Sequence, residues 1–224
     1  MSHKRGFTVF DLVLLVIIGG FAMVLIFFGM LLPALARGRE EARRIRCRNK
    51  LNQLAKGMAT YLVEHGDNRV YPCPLGRGRR PKDYNGAEWL ASLYWAGTVP
   101  DPGIFLCPSS GDTNHKGKDI GKTKIAKAFG SQTVSYAGMH YYSTTDAKGK
   151  YMPAAIRDDF PPSMPMASDD TQGTINHGER DNGGMCVLFF SGHVDFKTNA
   201  DVDLVKGVGD RGTKPKNLLW QLRN

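Results

Sequence analysis

An uncharged run of 25 residues, from Leu12 to Ala36, constrains this chain more than any other feature. As a helix it would span about 37 Å at about 1.5 Å per residue, whereas the hydrocarbon core of a bilayer is about 30 Å thick. A secretory signal peptide has a shorter apolar core of about 7–15 residues, although residues 34–36 resemble its cleavage motif. The run therefore predicts a retained membrane-spanning helix, with cleavage after Ala36 as the alternative.

The formal net charge of +9 in 224 residues is concentrated beside this run. The basic segment, residues 37–50, carries seven basic and two acidic side chains, which is more than half of the net charge. A basic segment beside a membrane helix is typical of contact with lipid headgroups or neighbouring subunits. Aromatic residues interleaved with the basic ones would favour nucleic acid, and the segment has none. We therefore expect no nucleic-acid partner.

Apolar residues recur every three to four positions beyond the basic segment, which predicts an amphipathic helix. The residues of this stripe are Ala42, Ile45, Leu51, Leu54, Ala55, Met58, Ala59 and Leu62. Gly66 marks the expected end, because glycine commonly follows the last helical turn. Residues 12–65 are thus expected to form one helix whose second half docks on a globular part.

The rest of the chain carries one helical pattern and several short strand patterns. Residues 87–95 predict a second helix, and residues 133–136 and 139–142 suggest a strand pair or one bent strand. The runs 185–190 and 193–197, joined by a Ser-Gly pair, predict a β-hairpin. The expected fold class is α+β, with a long N-terminal hydrophobic helix packed on a small antiparallel β-sheet head.

The first residues carry a resemblance to a known family. The segment Lys4-Arg5-Gly6-Phe7-Thr8-Val9-Phe10-Asp11 and the apolar run after it resemble the N-terminus of type IV prepilins. The resemblance implies a leader, residues 1–6, that a prepilin peptidase removes between Gly6 and Phe7, followed by N-methylation of Phe7. It also implies that Asp11, where the family usually has Glu, meets the N-terminus of a neighbouring subunit during assembly.

The C-terminal hairpin resembles the H-x9-DG signature of a pseudopilin-like branch of the same family. The matching residues are Asn176-His177-Gly178, Gly183-Gly184, Val187-Leu188-Phe189 and Gly192-His193-Val194. Thirteen residues rather than nine separate the histidine from the turn, and Ser191 replaces the usual Asp. The resemblance implies a pilin-like shape, a lollipop with residues 7–36 as the transmembrane and assembly helix, 37–65 as its continuation and 66–224 as the head.

Together these resemblances imply a structural subunit, a pseudopilin or minor pilin, of a type IV pilus or a type II secretion pseudopilus. The implied partners are the prepilin peptidase, other pilin-like subunits and inner-membrane lipids, with the head on the periplasmic side of a bacterial inner membrane. The positive-inside rule favours the opposite orientation, because seven basic residues follow the apolar run and two precede it. A permanently anchored extracytoplasmic binding protein that does not polymerise is the alternative.

Four cysteines at positions 47, 73, 107 and 186 allow three full pairings. Cys73 and Cys107 both lie in loop-like sequence, and a disulfide between them would contribute about 3–4 kcal/mol to stability. Cys186 falls inside a hydrophobic strand pattern and is expected to be a buried thiol. Because the sequence has no Cys-x-x-Cys pair, we expect neither a metal nor another cofactor.

Residues of enzyme-like type occur without a catalytic motif. A nucleophile, a base and an acid can be chosen on paper from Ser168, Asp169, His177, Ser191 and His193. No Gly-x-Ser-x-Gly, P-loop or His-Glu-x-x-His motif accompanies them, so we expect no enzymatic activity. The pairs Asp169-Asp170 and Asp181-Asn182 offer calcium ligands, but their spacing is not that of an EF-hand.

Overall fold

The computed structural model of the protein describes residues 9–72, 86–121, 133–139, 142–145, 151–154, 156–169, 176–178, 183–198, 201–202, 219 and 222–223. The side chains of residues 142–145, 151–154 and 223 are not part of the description. The chain divides into two units, residues 1–42 and residues 43–224. The fold is α+β, as the sequence predicts, with a long N-terminal helix and a small antiparallel sheet.

The first helix, α1, runs from Val9 to Glu64 over 56 residues and continues through Pro33. From Val9 to Leu35, α1 carries an apolar side chain at nearly every position, and these side chains are exposed. No residue of its most apolar stretch of 18 is buried. This part of α1 is therefore long and apolar enough to cross a membrane.

The second part of α1 belongs to the second unit and supplies one wall of its core. The buried side chains are Cys47, Leu51, Leu54 and Met58, at spacings of four, three and four residues along one helical face. The predicted stripe is thus confirmed for Leu51, Leu54 and Met58. The prediction is wrong for Ile45, which is 52% exposed because it lies nine residues before Leu54, on the opposite side of the helix.

The end of α1 follows the predicted glycine signal. The Gly66 amide donates hydrogen bonds to the carbonyls of Tyr61 and Leu62, 3.0 and 3.2 Å away. Asp67 and Asn68 then take positive φ angles of 54° and 53°, which a continuing helix does not allow. The predicted end near residue 65 is confirmed.

Helix α2, Gly86–Ala96, confirms the second helical prediction and is buried from Gly86 to Leu93. Two short 3₁₀ turns follow, Pro102–Phe105 and His115–Gly117, and the second leads into the four-residue helix α3, Lys118–Gly121. The segment after α2 lies directly on α1: a Cβ at Gly57 would stand 2.2 Å from Cγ2 of Val99. Only glycine fits this contact without displacing its neighbour.

Seven strands are described, and they form two antiparallel sheets. They are β1 Tyr136–Met139, β2 Tyr142–Thr145, β3 Tyr151–Ala154, β4 Pro165–Asp169, β5 Gly184–Phe189, β6 Val194–Thr198 and β7 Leu222–Arg223. The larger sheet has the order β6-β5-β4-β1-β7, and β2 pairs with β3 separately. Helix α2 packs on β1, where a Cβ at Gly138 would stand 2.4 Å from the Gly86 carbonyl oxygen.

The predicted hairpin is confirmed, since β5 and β6 pair from Gly184↔Thr198 to Leu188↔Val194 around a turn in which Gly192 has φ 82°. Residues 133–136 and 139–142 do not pair with each other among the described residues, and residues 140 and 141, between β1 and β2, lie outside the description. Strand β1 begins at Tyr136 rather than 133 and pairs with β4 and β7. Local pattern cannot choose among partners so distant in sequence.

Two residues of the basic segment are held by the head. The Arg44 guanidinium lies 4.4 Å from the centroid of the Phe196 ring, within the range of a cation–π contact. The Lys50 ammonium donates a hydrogen bond to the Leu106 carbonyl over 2.9 Å. Both side chains therefore join α1 to the rest of the second unit.

Candidate functional site

Of the residues predicted to act in leader cleavage, methylation and assembly, the structure describes Asp11. Gly6 and Phe7 are outside the described residues, whereas Asp11 stands in the first turn of the helix and is exposed. Leu14, Leu15, Ile18 and Gly19 share its helical face and line a shallow groove with it. The groove is apolar along its length and has a carboxylate at one end.

A second candidate site is a buried cluster of polar side chains in the head. Cys47 comes from α1, Asp169 from the end of β4, Cys186 from β5 and His177 from the segment before β5. One potential metal-ligand atom from each of these four residues lies within 4.8 Å of the other three. Cys47, Asp169 and His177 are 0% exposed and Cys186 is 2% exposed.

The end of β4 places Asp169 at the centre of this cluster. Its Oδ1 lies 2.6 Å from the Cys47 sulfur, and its Oδ2 accepts a hydrogen bond of 2.9 Å from the Cys186 amide. Across the β1–β4 ladder, Asp169 is paired with Tyr136, whose hydroxyl lies 3.5 Å from the Cys47 sulfur. A buried carboxylate is costly unless such partners compensate for the lost water.

His177 lies beside β5 where β4 has ended, and it bridges to Gly184 through a 3.0 Å backbone hydrogen bond. Its Nε2 faces the cluster, 3.3 Å from Asp169 Oδ2 and 3.7 Å from the Cys107 sulfur. Its Nδ1 faces the other way, 3.2 Å from the hydroxyl oxygen of Ser109. The two ring nitrogens therefore contact different groups: Nδ1 faces Ser109 outside the cluster, and Nε2 faces the cluster itself.

Close packing of these groups changes their proton affinities. Burial raises the pKa of Cys47 well above its usual value. A hydrogen bond from Cys47 lowers the pKa of Cys107 to about 6, against the opposing effect of burial, and His177 adds to the lowering. Burial lowers the pKa of His177, but hydrogen bonds to Asp169 and Cys107 outweigh this effect and raise the pKa to about 11, far above its usual value.

The cluster does not have the arrangement of a catalytic triad. Cys107 and Asp169 both approach Nε2 of His177, whereas a triad needs the nucleophile and the orienting acid on different ring nitrogens. Cys107 is 3% exposed and His177 is 0% exposed, so neither presents a reactive atom to solvent. Ser191 and His193 contact each other at the exposed β5–β6 turn and do not belong to the cluster.

Of the other residues considered from the sequence, the structure describes Ser168. Ser168 is buried in β4, and its hydroxyl has no hydrogen-bond partner among the described residues. The calcium candidates Asp170, Asp181 and Asn182 lie outside the described residues, and Asp169 belongs to the thiol cluster. The calcium site therefore stays a prediction, and among the described residues the catalytic candidates do not come together as a triad.

The disulfide predicted between Cys73 and Cys107 stays a prediction, because the structure describes only Cys107, as a buried free thiol. Cys73 itself lies outside the described residues. The prediction that Cys186 is a buried thiol is confirmed. A Cys-x-x-Cys spacing does not occur in the cluster because its two thiols come from a helix and a strand that are distant in sequence. The one sequence signal was the presence of cysteines within two apolar patterns, the α1 stripe and β5.

Comparison of the chain with protein-family models, with curated proteins and with solved structures gives no match.

Proposed function

We propose that this chain is a structural subunit, a pseudopilin or minor pilin, that a prepilin peptidase processes and that assembles with other pilin-like subunits. The filament would be a type IV pilus or a type II secretion-like pseudopilus. The observation that carries the proposal is that α1 has an exposed apolar part followed by a part that is packed in the core of the head. Its first part exposes apolar side chains along its whole length, and its second part supplies Leu51, Leu54 and Met58 to the core of the head. One helix thus offers a surface for lipid or other helices while it remains built into a folded domain.

The groove at the start of α1 supports the same role. An apolar groove fits the side of another apolar helix, and glycine at position 19 allows that helix to approach closely. A carboxylate in such surroundings would attract the α-amine of a processed Phe7 on a neighbouring subunit. Asp11 is then the residue that sets the position of one subunit against the next.

The proposal places α1 across a bacterial inner membrane once, with the head in the periplasm. The family resemblance supports this orientation, because the prepilin peptidase cuts the leader on the cytoplasmic side. The seven basic residues after the apolar run favour the opposite orientation. Protease added outside spheroplasts should digest the head, and a protected head would refute the orientation.

The intact mass of the purified chain tests the processing step. We expect the loss of residues 1–6 and the addition of one methyl group, both dependent on a prepilin peptidase in the host. A chain that keeps residues 1–6 would favour the permanently anchored binding protein, and cleavage after Ala36 would indicate a secreted domain. Either result would contradict the proposed subunit.

The variant Asp11→Ala tests the assembly step. We expect cross-linked oligomers in membranes to be lost in this variant and largely retained in Asp11→Glu, which keeps the carboxylate. Asp195→Asn, which removes an exposed carboxylate of the head, is the matched control and should assemble normally. Normal assembly of Asp11→Ala would show that the carboxylate has no part in subunit contact.

A further inference from the structure

We propose that Cys47, Asp169, His177 and Cys186 form a structural zinc site inside the head. The four residues come from α1, the end of β4, the segment before β5, and β5. Their potential ligand atoms lie within 4.8 Å of one another. Thiolate, imidazole and carboxylate are the ligand types that zinc uses in proteins. This inference concerns the stability of the head and does not depend on filament assembly.

Two of the separations, each to a different carboxylate oxygen of Asp169, can be compared with those of a tetrahedral site. Ligand bonds of about 2.0–2.3 Å place the donor atoms of a tetrahedral zinc roughly 3.5 Å apart. His177 Nε2 and Asp169 Oδ2 are 3.3 Å apart. The Cys47 sulfur and Asp169 Oδ1 are closer, at 2.6 Å. To bind the same ion, these two atoms would have to move apart by less than about 1 Å. Adjustments of this size need only small side-chain rotations.

The partners outside the cluster are those that a metal site requires. A metal-bound histidine usually engages its second ring nitrogen in a hydrogen bond, which fixes the orientation of the ring. Here Ser109 lies 3.2 Å from Nδ1 and leaves Nε2 for the ion. The Cys186 amide donates to Asp169 Oδ2 and holds the carboxylate in the same way. Both ligands are thus oriented before any ion binds.

Zinc coordination would also balance most of the negative charge of the ligands. Zinc binds cysteine as thiolate and histidine as neutral imidazole, so three protons leave for solvent when the ion enters: the thiol protons of Cys47 and Cys186 and the Nε2 proton of the His177 imidazolium. Two thiolates and one carboxylate then face a divalent ion, and the site has a net charge of one negative unit. Four protein ligands and at most 2% exposure leave no position for substrate, which is typical of a structural site.

Cys107 is a neighbour of this site rather than one of its ligands. Its sulfur lies 3.7 Å from His177 Nε2, but it does not belong to the group whose donor atoms are all within 4.8 Å of each other. The Ser109 amide donates to the same sulfur at 3.5 Å. Cys107→Ser should therefore retain zinc. This result would distinguish the proposed ligand set from one in which Cys107 is a third cysteine ligand.

The test is the metal content of the full-length chain, purified in detergent from cells grown with zinc sulfate and without a metal-affinity step. We expect about one zinc per chain by inductively coupled plasma mass spectrometry. Cobalt exchanged into the site should give ligand-field bands in the visible and thiolate-to-cobalt charge transfer in the near ultraviolet. Folded wild-type protein without zinc, or with iron or copper in its place, would overturn the assignment.

Matched variants identify the ligands. His177→Gln and Asp169→Asn should lose the zinc and the cobalt charge-transfer bands or weaken them severalfold, whereas His193→Gln and Asp195→Asn, which alter exposed residues, should retain both. A chelator should lower the Tm of the wild type and leave that of His177→Gln unchanged. Loss of zinc in Cys107→Ser, with the fold intact by circular dichroism, would refute the four-ligand set.

A disulfide between Cys47 and Cys186 is the competing use of the same residues. It would reduce the intact mass by two hydrogen atoms and leave both thiols unreactive to alkylation in denaturant. This result in wild-type protein would overturn the zinc proposal even if every variant failed to fold. Reactive thiols released together with zinc by acid would support it.

Discussion

Substitution of Gly57 by alanine tests how closely α1 is docked on the head. In an exposed helix interior this change is favourable by about 1 kcal/mol, because alanine has the higher helix propensity. At Gly57 the new Cβ would stand 2.2 Å from Cγ2 of Val99, whereas optimal carbon–carbon contact is about 3.5–4.0 Å. Extra volume in a packed core costs about 1–3 kcal/mol. The net effect expected is a loss of up to about 2 kcal/mol.

Unfolding of the full chain in detergent, followed by tryptophan fluorescence to which the buried Trp89 contributes, measures this effect. For a chain of this size about 1 kcal/mol shifts Tm by about 2–4 °C. Gly38→Ala is the matched control on the same helix, since nothing lies within 4 Å of its Cβ, and it should leave stability unchanged or raise it.

A double-mutant cycle with Val99→Ala, which removes the obstructing methyl group, makes the test specific. The two substitutions together should destabilise the head by about 1–3 kcal/mol less than the sum of the single changes. Additivity to within about 0.5 kcal/mol would refute the packing of α1 against Val99.

Two further substitutions test other contacts of the core. Leu54→Ala should lower the free energy of unfolding by about 2–5 kcal/mol, because the side chain is fully buried, whereas Ile45→Ala should change it by about 0.5 kcal/mol or less. Gly138→Ala should destabilise more than Gly57→Ala, because its Cβ would meet a backbone carbonyl oxygen at 2.4 Å rather than a side chain that can move. Urea unfolding of the four variants gives these values, and equal effects for Leu54 and Ile45 would contradict the assigned helix face.

Features set by neighbours in sequence were predictable. The length and end of α1 follow from an apolar run, a helical stripe and the turn after Gly66, all of which are local. The β5–β6 hairpin follows from two strand patterns around a Ser-Gly turn. Even here the stripe misplaced Ile45, because an apolar residue can fit a rough period of three to four residues and still lie on the opposite face.

Features set by distant partners were not predictable. Strand β1 pairs with β4 and β7, and no pattern within residues 133–142 specifies those partners. The buried cluster is a stronger example, because Cys47 and Asp169 meet across 122 positions of the chain. A search by spacing finds metal sites built on one loop, whereas this cluster exists only after α1 has packed on the sheet.

The contacts of Arg44 and Lys50 have a consequence for how the chain associates with anionic lipid. Each basic residue near a charged bilayer contributes about 1 kcal/mol of attraction. Because one of these side chains lies over Phe196 and the other is bonded to a loop carbonyl, at most five of the seven cations in the basic segment can reach phosphate groups. Beside an anionic bilayer, folding of the head would withdraw about 2 kcal/mol of this attraction, so the folded chain would be easier to extract than its sequence suggests.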